Sequence, residues 1–274
     1  MKSSIEFCFL IFIILFYNCN SIPQQEKYKQ FYYKAHIKVI NDDSLSILLT
    51  NPVDCPLRFY IDLCHTIKNG IKTYKGLPAP IICDFLSREE SKKFYSKGAE
   101  FQIGKIEIVT NTGTYIDCPF HRYVKGKDTS EISLNKLVDV PAITVKVPYI
   151  HTKEITSRFF KNFIFKNKAV LKNTHWSKFW GTDLYFHNHP YLNKESAEFL
   201  RDKGALLVGI DSLNIDDTSN NSRPVHSILL GSEILIVEHL SNLHKLPKQN
   251  FHFSAIPPKL KGVGTFPVRA FAKI

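Results

Sequence analysis

The stretch Asn111–His121, N-T-G-T-Y-I-D-C-P-F-H, gathers a carboxylate, an imidazole, a turn-forming glycine and a proline within eleven residues. Residues two apart in an extended segment face the same side, so Asp117 and Tyr115 project together, with Asn111 following on that face. Pro119 ends the strand and turns the backbone, which brings His121 back toward Asp117. A carboxylate beside an imidazole in that arrangement is what a metal-bound water or a general base requires. His187 and His189 form an H-x-H pair that alone would suggest a metal, but Pro190 follows directly and a loop role fits better.

The motif resembles the signature of the cyclase family, which contains kynurenine formamidase and isatin hydrolase and reads H-x-G-T-H-x-D-x-P-x-H. Gly113, Thr114, Asp117, Pro119 and His121 match it, while Asn111 and Tyr115 stand at the positions of its two metal-binding histidines. Later segments resemble family text in the same order. They are Gly209-Ile210-Asp211-Ser212 followed by Asp216, then His226 to Leu230, then Ile236 to Leu240 around Glu238. Trp180-Gly181-Thr182, His189-Pro190 and the closing Gly264–Ile274 segment around Pro267-Val268-Arg269 extend the likeness over residues 58–274.

The resemblance implies metal-assisted hydrolysis of an amide or cyclic amide. Kynurenine formamidase holds two zinc ions, one on the two motif histidines and the aspartate, the other on that aspartate with a later histidine and glutamate. Carried over residue by residue, the second set is complete here as Asp117, His226 and Glu238, and the first keeps only Asp117. One divalent ion is therefore implied, zinc or manganese, because two carboxylates and one imidazole make a harder donor set than zinc usually has. His121 matches the family's acid/base histidine. Tyr115 and Trp180 are taken as substrate contacts from their aromatic character. The implied substrate is a small aromatic amide, with N-formylkynurenine converted to kynurenine and formate in tryptophan catabolism, and the implied assembly is a homodimer. The alternative is a secreted small-molecule-binding protein that keeps the fold and has lost turnover.

The elements that must position these residues alternate between strand and helix, which argues for an α/β domain. The resemblance specifies a single cyclase-like domain of the swivelling β/β/α type, a mixed sheet with flanking helices. Strands are expected at Phe59–Leu63, Lys105–Val109, Gly113–Asp117, Ala142–Val147, Ala169–Leu171, Ala205–Ile210 and Glu233–Glu238, the second and third as neighbours. Ser87 with Glu90 forms a capping box that opens a short helix to about Tyr95. Asn193 caps a helix through Lys203, with Gly204 just past its end, and Val225–Leu230 forms a short helix stopped by Gly231.

At 274 residues the chain is long enough to bury a substantial core in one domain. The almost unbroken apolar run Phe7–Tyr17, followed by Cys19-Asn20-Ser21, reads as a secretory signal peptide over 1–21, cleaved near Ser21 and too short to span a bilayer comfortably. An irregular lead-in is expected over 22–57 and the catalytic domain over 58–274. A secreted, extracellular chain would keep Cys55, Cys64, Cys83 and Cys118, enough for two disulfides in three connectivities, or for a buried free thiol at Cys118. Asn220-Asn221-Ser222 is a glycosylation sequon. The net charge of +11 carries no nucleic-acid-binding pattern and implies at most nonspecific polyanion contact.

Overall fold

The computed structural model describes residues 59–274 and, of the region before them, the backbone of three strands: β1 (Cys8–Phe12), β2 (Tyr32–Asn41) and β3 (Ser44–Leu49). These form an antiparallel sheet in chain order. Two of them lie within 22–57, where an irregular lead-in was expected. The alternation of Ala35, Ile37 and Val39 with Lys34, His36 and Lys38 is the period-two signal for β2. The remainder of the expected signal peptide, the cleavage point near Ser21 and Cys55 lie outside the described residues.

Residues 60–274 form a separate compact unit. Its strands are β4 (Tyr60–Asp62), β5 (Ile81–Leu86), β6 (Ile103–Glu107), β7 (Tyr115–Asp117), β8 (Val140–Lys146), β9 (Glu154–Ile155), β10 (Ala169–Asn173), β11 (Tyr191–Leu192), β12 (Leu207–Ile210), β13 (Leu235–Glu238), β14 (Phe251–Ser254), β15 (Thr265–Pro267) and β16 (Phe271–Lys273). The α-helices are α1 (Arg88–Ser91), α2 (Lys194–Asp202) and α3 (Pro224–Gly231). Nine strands make one mixed sheet in the order β15-β7-β13-β12-β10-β8-β14-β16-β4. The centre, β8, β10, β12 and β13, is parallel, and the flanking pairs are antiparallel.

Parallel strands buried on both faces need near-continuous apolar sequence. β10, β12 and β13 supply it, and alternate residues enter two cores. Ala169, Leu171, Leu207, Leu235 and Val237 belong to one, while Val170, Val208, Ile210 and Ile236 belong to the other. Ile116 near one edge of the sheet and Ala272 near the other share the first core, so the sheet curls around it. Helices α2 and α3 cover the opposite face with Ala197, Leu200, Val225 and Leu229. This is the mixed α/β architecture expected, with few helices.

Local signals are found where the sequence places them. The Ser87 hydroxyl accepts from the Glu90 amide and the Glu90 carboxylate accepts from the Ser87 amide, so α1 has its capping box, and a 3₁₀ turn continues to Phe94. The Asn193 side chain caps α2, and Gly204 takes the left-handed conformation beyond its end. One pairing differs from expectation. β6 pairs with β5 in an exposed two-stranded arm, whereas β7 lies between β13 and β15. The reason is burial: all of β7 is buried and all of β6 is exposed. Cys64, Cys83 and Cys118 are free, with Cys118 fully buried, so no disulfide forms among the described residues. No described helix is long and apolar enough to cross a membrane.

Candidate metal centre and active site

β7 ends on Asp117, and Pro119–His121 turns the chain in a 3₁₀ helix. The turn brings His121 Nδ1 to 4.0 Å from Asp117 Oδ1. Thr265, on the neighbouring β15, fills the gap with its hydroxyl 2.7 Å from Asp117 Oδ1 and 2.9 Å from His121 Nδ1. A carboxylate only accepts, so the hydroxyl proton goes to Asp117 and the oxygen accepts from His121 Nδ1–H. Nε2 of His121 is thereby left as the ring nitrogen outside the Asp117–Thr265 contacts. The close passage of the two segments depends on Gly264, whose carbonyl accepts from the Cys118 amide. A Cβ at that position would lie 2.3 Å from the His121 nitrogen.

His226 is placed by α3. Left-handed Arg223 precedes Pro224 at the first turn, and the side chain of Asp216 caps the helix by accepting from the Val225 and His226 amides. Asp216 Oδ2 also lies 2.6 Å from His226 Nδ1. With Nδ1–H donated to that carboxylate, Nε2 is the free atom, 3.6 Å from Asp117 Oδ2 and 3.7 Å from Glu238 Oε1. A carboxylate behind an imidazole is the support that metal-binding histidines commonly have. Ligand atoms of Asp117, His121 and His226 all lie within 4.8 Å of one another.

Glu238, at the end of β13, is fully buried and already bonded on both oxygens. Oε1 accepts from the Ile215 amide at 2.6 Å, and Oε2 accepts from the Tyr115 hydroxyl at 2.5 Å. Asn111 stands near the Tyr115 phenol and slightly opposes the rise in its pKa that burial and the carboxylates cause. Of the two residues standing in place of histidines, Tyr115 is thus tied directly to Glu238.

Charge in this site is one-sided. Burial disfavours an imidazolium at His226, but the neighbouring carboxylates of Asp117, Asp216 and Glu238 outweigh it and lift the pKa to about 10. Burial opposes ionisation of Asp117 too, yet His226 and His121 hold it below the usual carboxylate range. Burial and the charge of Asp117 push Glu238 up to about 7. Asp117 Oδ2 is buried with no hydrogen-bond partner among the described residues. An unpartnered carboxylate oxygen facing a free imidazole nitrogen, in a surplus of negative charge, fits a divalent cation.

A cavity of about 340 Å³ opens on this cluster, and its lining includes Asn111, Tyr115, His121, His226, Arg122 and Arg223. Trp180 does not line it; its ring stacks on His65 with centroids 4.1 Å apart and packs edge-on to Tyr185 and His239. His189 is a loop residue bonded to the Pro190 carbonyl and the Thr218 hydroxyl, and His187 is exposed. Asp216 was legible only as part of a motif, and Gly264 and Thr265 only as the start of the closing segment that resembles family text, none of them with a role.

The family model Cyclase, described as "Putative cyclase", matches residues 61–217. Kynurenine formamidase of Salinibacter ruber is 27% identical over 175 residues, which are 61% of this chain and 78% of that protein. Kynurenine formamidase of Bacillus cereus strain ZK is 26% identical over 214 residues, covering 77% and 95%. A solved structure described as a "potential metal-dependent hydrolase with cyclase activity" aligns with TM-score 0.65 at 25% identity, covering 79% of this chain and 98% of that one. An isatin hydrolase bound to the product analogue thioisatinate aligns with TM-score 0.67 at 20% identity, covering 79% and 92%, and shares the fold. The family match runs from the first strand of the curled sheet through the Asp216 that supports His226, more than half of the sequence, and the chain belongs to the cyclase family.

Proposed function

We propose that this chain is a metal-dependent hydrolase of a carbon–nitrogen bond other than a peptide bond, with an N-formyl aryl amine of the N-formylkynurenine type as substrate. The observation that carries the reading is the buried, unpartnered Oδ2 of Asp117 set 3.6 Å from His226 Nε2. Asp117 and His226, with Glu238, would hold one ion, zinc or manganese, whose Lewis acidity would polarise the amide carbonyl. His121, held by Thr265 with Nε2 free, takes a proton from the attacking water and delivers it to the leaving nitrogen. Tyr115 spends its hydroxyl proton on Glu238 and fixes that carboxylate. Arg122 and Arg223 bond to Ser222, Ser227, Asp217 and Asn220 through hydroxyl and carbonyl oxygens, and neither forms an ion pair among the described residues. Two such cations in the cavity lining favour a substrate with an anionic end, as N-formylkynurenine has.

Elemental analysis of purified protein, followed by an N-formylkynurenine assay, tests the proposal. Stoichiometric metal with turnover lost in His121→Ala is expected. Metal-free protein that binds small aromatics without turning them over would establish instead the binding-protein alternative, which is favoured by one observation: Tyr115, at the position of a family metal-binding histidine, bonds to Glu238 instead.

Two further proposals concern setting. Residues 1–21 act as a signal peptide, and N-terminal sequencing of exported protein should begin near Ser21. The chain pairs as a homodimer, supported by the apolar β5–β6 arm, on which Phe85 is 73% and Ile106 63% exposed. Light scattering of the full chain should give twice the protomer mass.

A further inference from the structure

We propose that a second cleft, at the carboxyl end of β10, binds a small oxyanion, a carboxylate or a phosphate group. The cleft has a volume of about 590 Å³ and shares no lining residue with the cavity over Asp117. Its polar lining includes Asn173, His65, His175, His244 and Lys178 beside hydroxyl side chains, and none of its ten lining residues is Asp or Glu.

Asn173 carries the argument. It is the last residue of β10 and only 1% exposed. Its Oδ1 accepts from the His175 amide, which fixes the orientation of the side chain and leaves Nδ2 without an acceptor among the described residues. A buried N–H donor without a partner costs about 1–3 kcal/mol, so its presence on a residue lining a cleft points to an acceptor arriving from outside. His65 repeats the pattern. Its ring is clamped against Trp180, and its buried Nε2 also lacks a partner among the described residues. In the Nε2–H tautomer it is a second donor.

The surrounding charge has the same sign. Lys178 lies over the rings of Tyr149 and Phe179 and forms no ion pair among the described residues. Burial, with His244, Lys146 and Lys178 nearby, lowers the pKa of His175. A bound cation is the opposite of what this lining calls for, and the Asp117–His121–His226 cluster is the sole candidate metal group among the described residues. Two buried nitrogens without partners, and cations without carboxylates in the lining, select an oxyanion.

The test is titration of the full chain, with histidine rings isotopically labelled, by inorganic phosphate in one arm and acetate in the other. Saturable shifts of the His175 and His244 ring resonances are expected with at least one of them, and the arm that saturates assigns the anion. These rings report on the cleft itself, so binding elsewhere does not count. Asn173→Leu should weaken binding about tenfold, and so should charge reversal at exposed Lys178 in Lys178→Glu, which stays informative if the buried substitution does not fold. Unmoved ring resonances in both arms, or wild-type affinity in both variants, overturns the proposal.

Discussion

His226 and His65 are both drawn away from water, yet one is held as a cation and the other as a neutral ring. Around His226 stand Asp117, Asp216 and Glu238, and these overcome burial to raise its pKa to about 10. Around His65 burial acts unopposed and lowers the pKa to about 4. His239 shows the same on a more buried ring, lowered to about 3 by burial, with nearby histidines adding to it. Burial sets the cost of charge in both places, and the placement of carboxylates decides whether the cost is met. One concavity is therefore built to hold a cation and the other to hold an anion, although both are lined with imidazoles.

The most damaging test leaves the charges alone and moves the geometry. Gly264→Ala would set a methyl carbon 2.3 Å from the His121 nitrogen and 2.7 Å from its Cα, and no rotamer can relieve contact with backbone. A shift of about an ångström at a catalytic group costs roughly 10²-fold in rate. We expect that loss in kcat/KM with metal content unchanged; a variant of wild-type rate would mean the position of His121 is not critical. Asp216→Asn instead removes one carboxylate from the ring of charge and makes His226 more like His65. Loss of a supporting residue of this kind lowers metal affinity by about 10–100-fold. Equilibrium dialysis against a competing chelator measures it, and unchanged affinity would show that the His226 tautomer is set elsewhere. Thr265→Val should lower kcat about tenfold, with metal content and KM preserved and with Thr265→Ser restoring the rate. Equal losses in Ser and Val variants would mark Thr265 as packing only.

The two sites were unequally visible in the amino-acid sequence. Asp117, Tyr115 and His121 lie within one short segment, so period-two geometry and a proline turn were enough to bring them together. Helix caps at Ser87 and Asn193 were readable for the same reason, since their partners lie three residues away. Thr265 reaches Asp117 across 148 residues of sequence through a strand pairing that no local pattern encodes. Gly264 is required by a contact with another segment, not by its own φ, and so looks like any glycine. The Asn173 cleft combines the segment after β4, the end of β10 and the turn after β13, and its defining property is a missing partner. Trp180 was assigned by residue type alone, and packing sends its ring to His65 rather than to the cavity. Lys172 has a fully buried amino group, its pKa driven well down by burial, in the midst of an apolar strand, where sequence gives no hint of whether it reaches water.

The smallest effect tests the comparison at its root, because the two rings must give pH dependences of opposite sign. The folded chain holds His65 at about 4 against an ordinary 6.5, so between those values the unfolded chain binds a proton that the folded chain does not. Its contribution is complete above pH 6.5 and is lost as pH falls through 4. His226 runs the other way in chain stripped of metal. Its imidazolium stabilises fully below pH 6.5, and that contribution is lost as pH rises through about 10. From pH 8 to pH 6 the His65 share amounts to about 1 kcal/mol of lost stability. Urea unfolding of wild type and His65→Gln at both pH values isolates it, since lost stacking on Trp180 shifts both measurements equally. The stability gap between the two proteins should narrow by about 1 kcal/mol at pH 6. A gap independent of pH would mean that His65 finds a partner for its charge, and the contrast with His226 would fail.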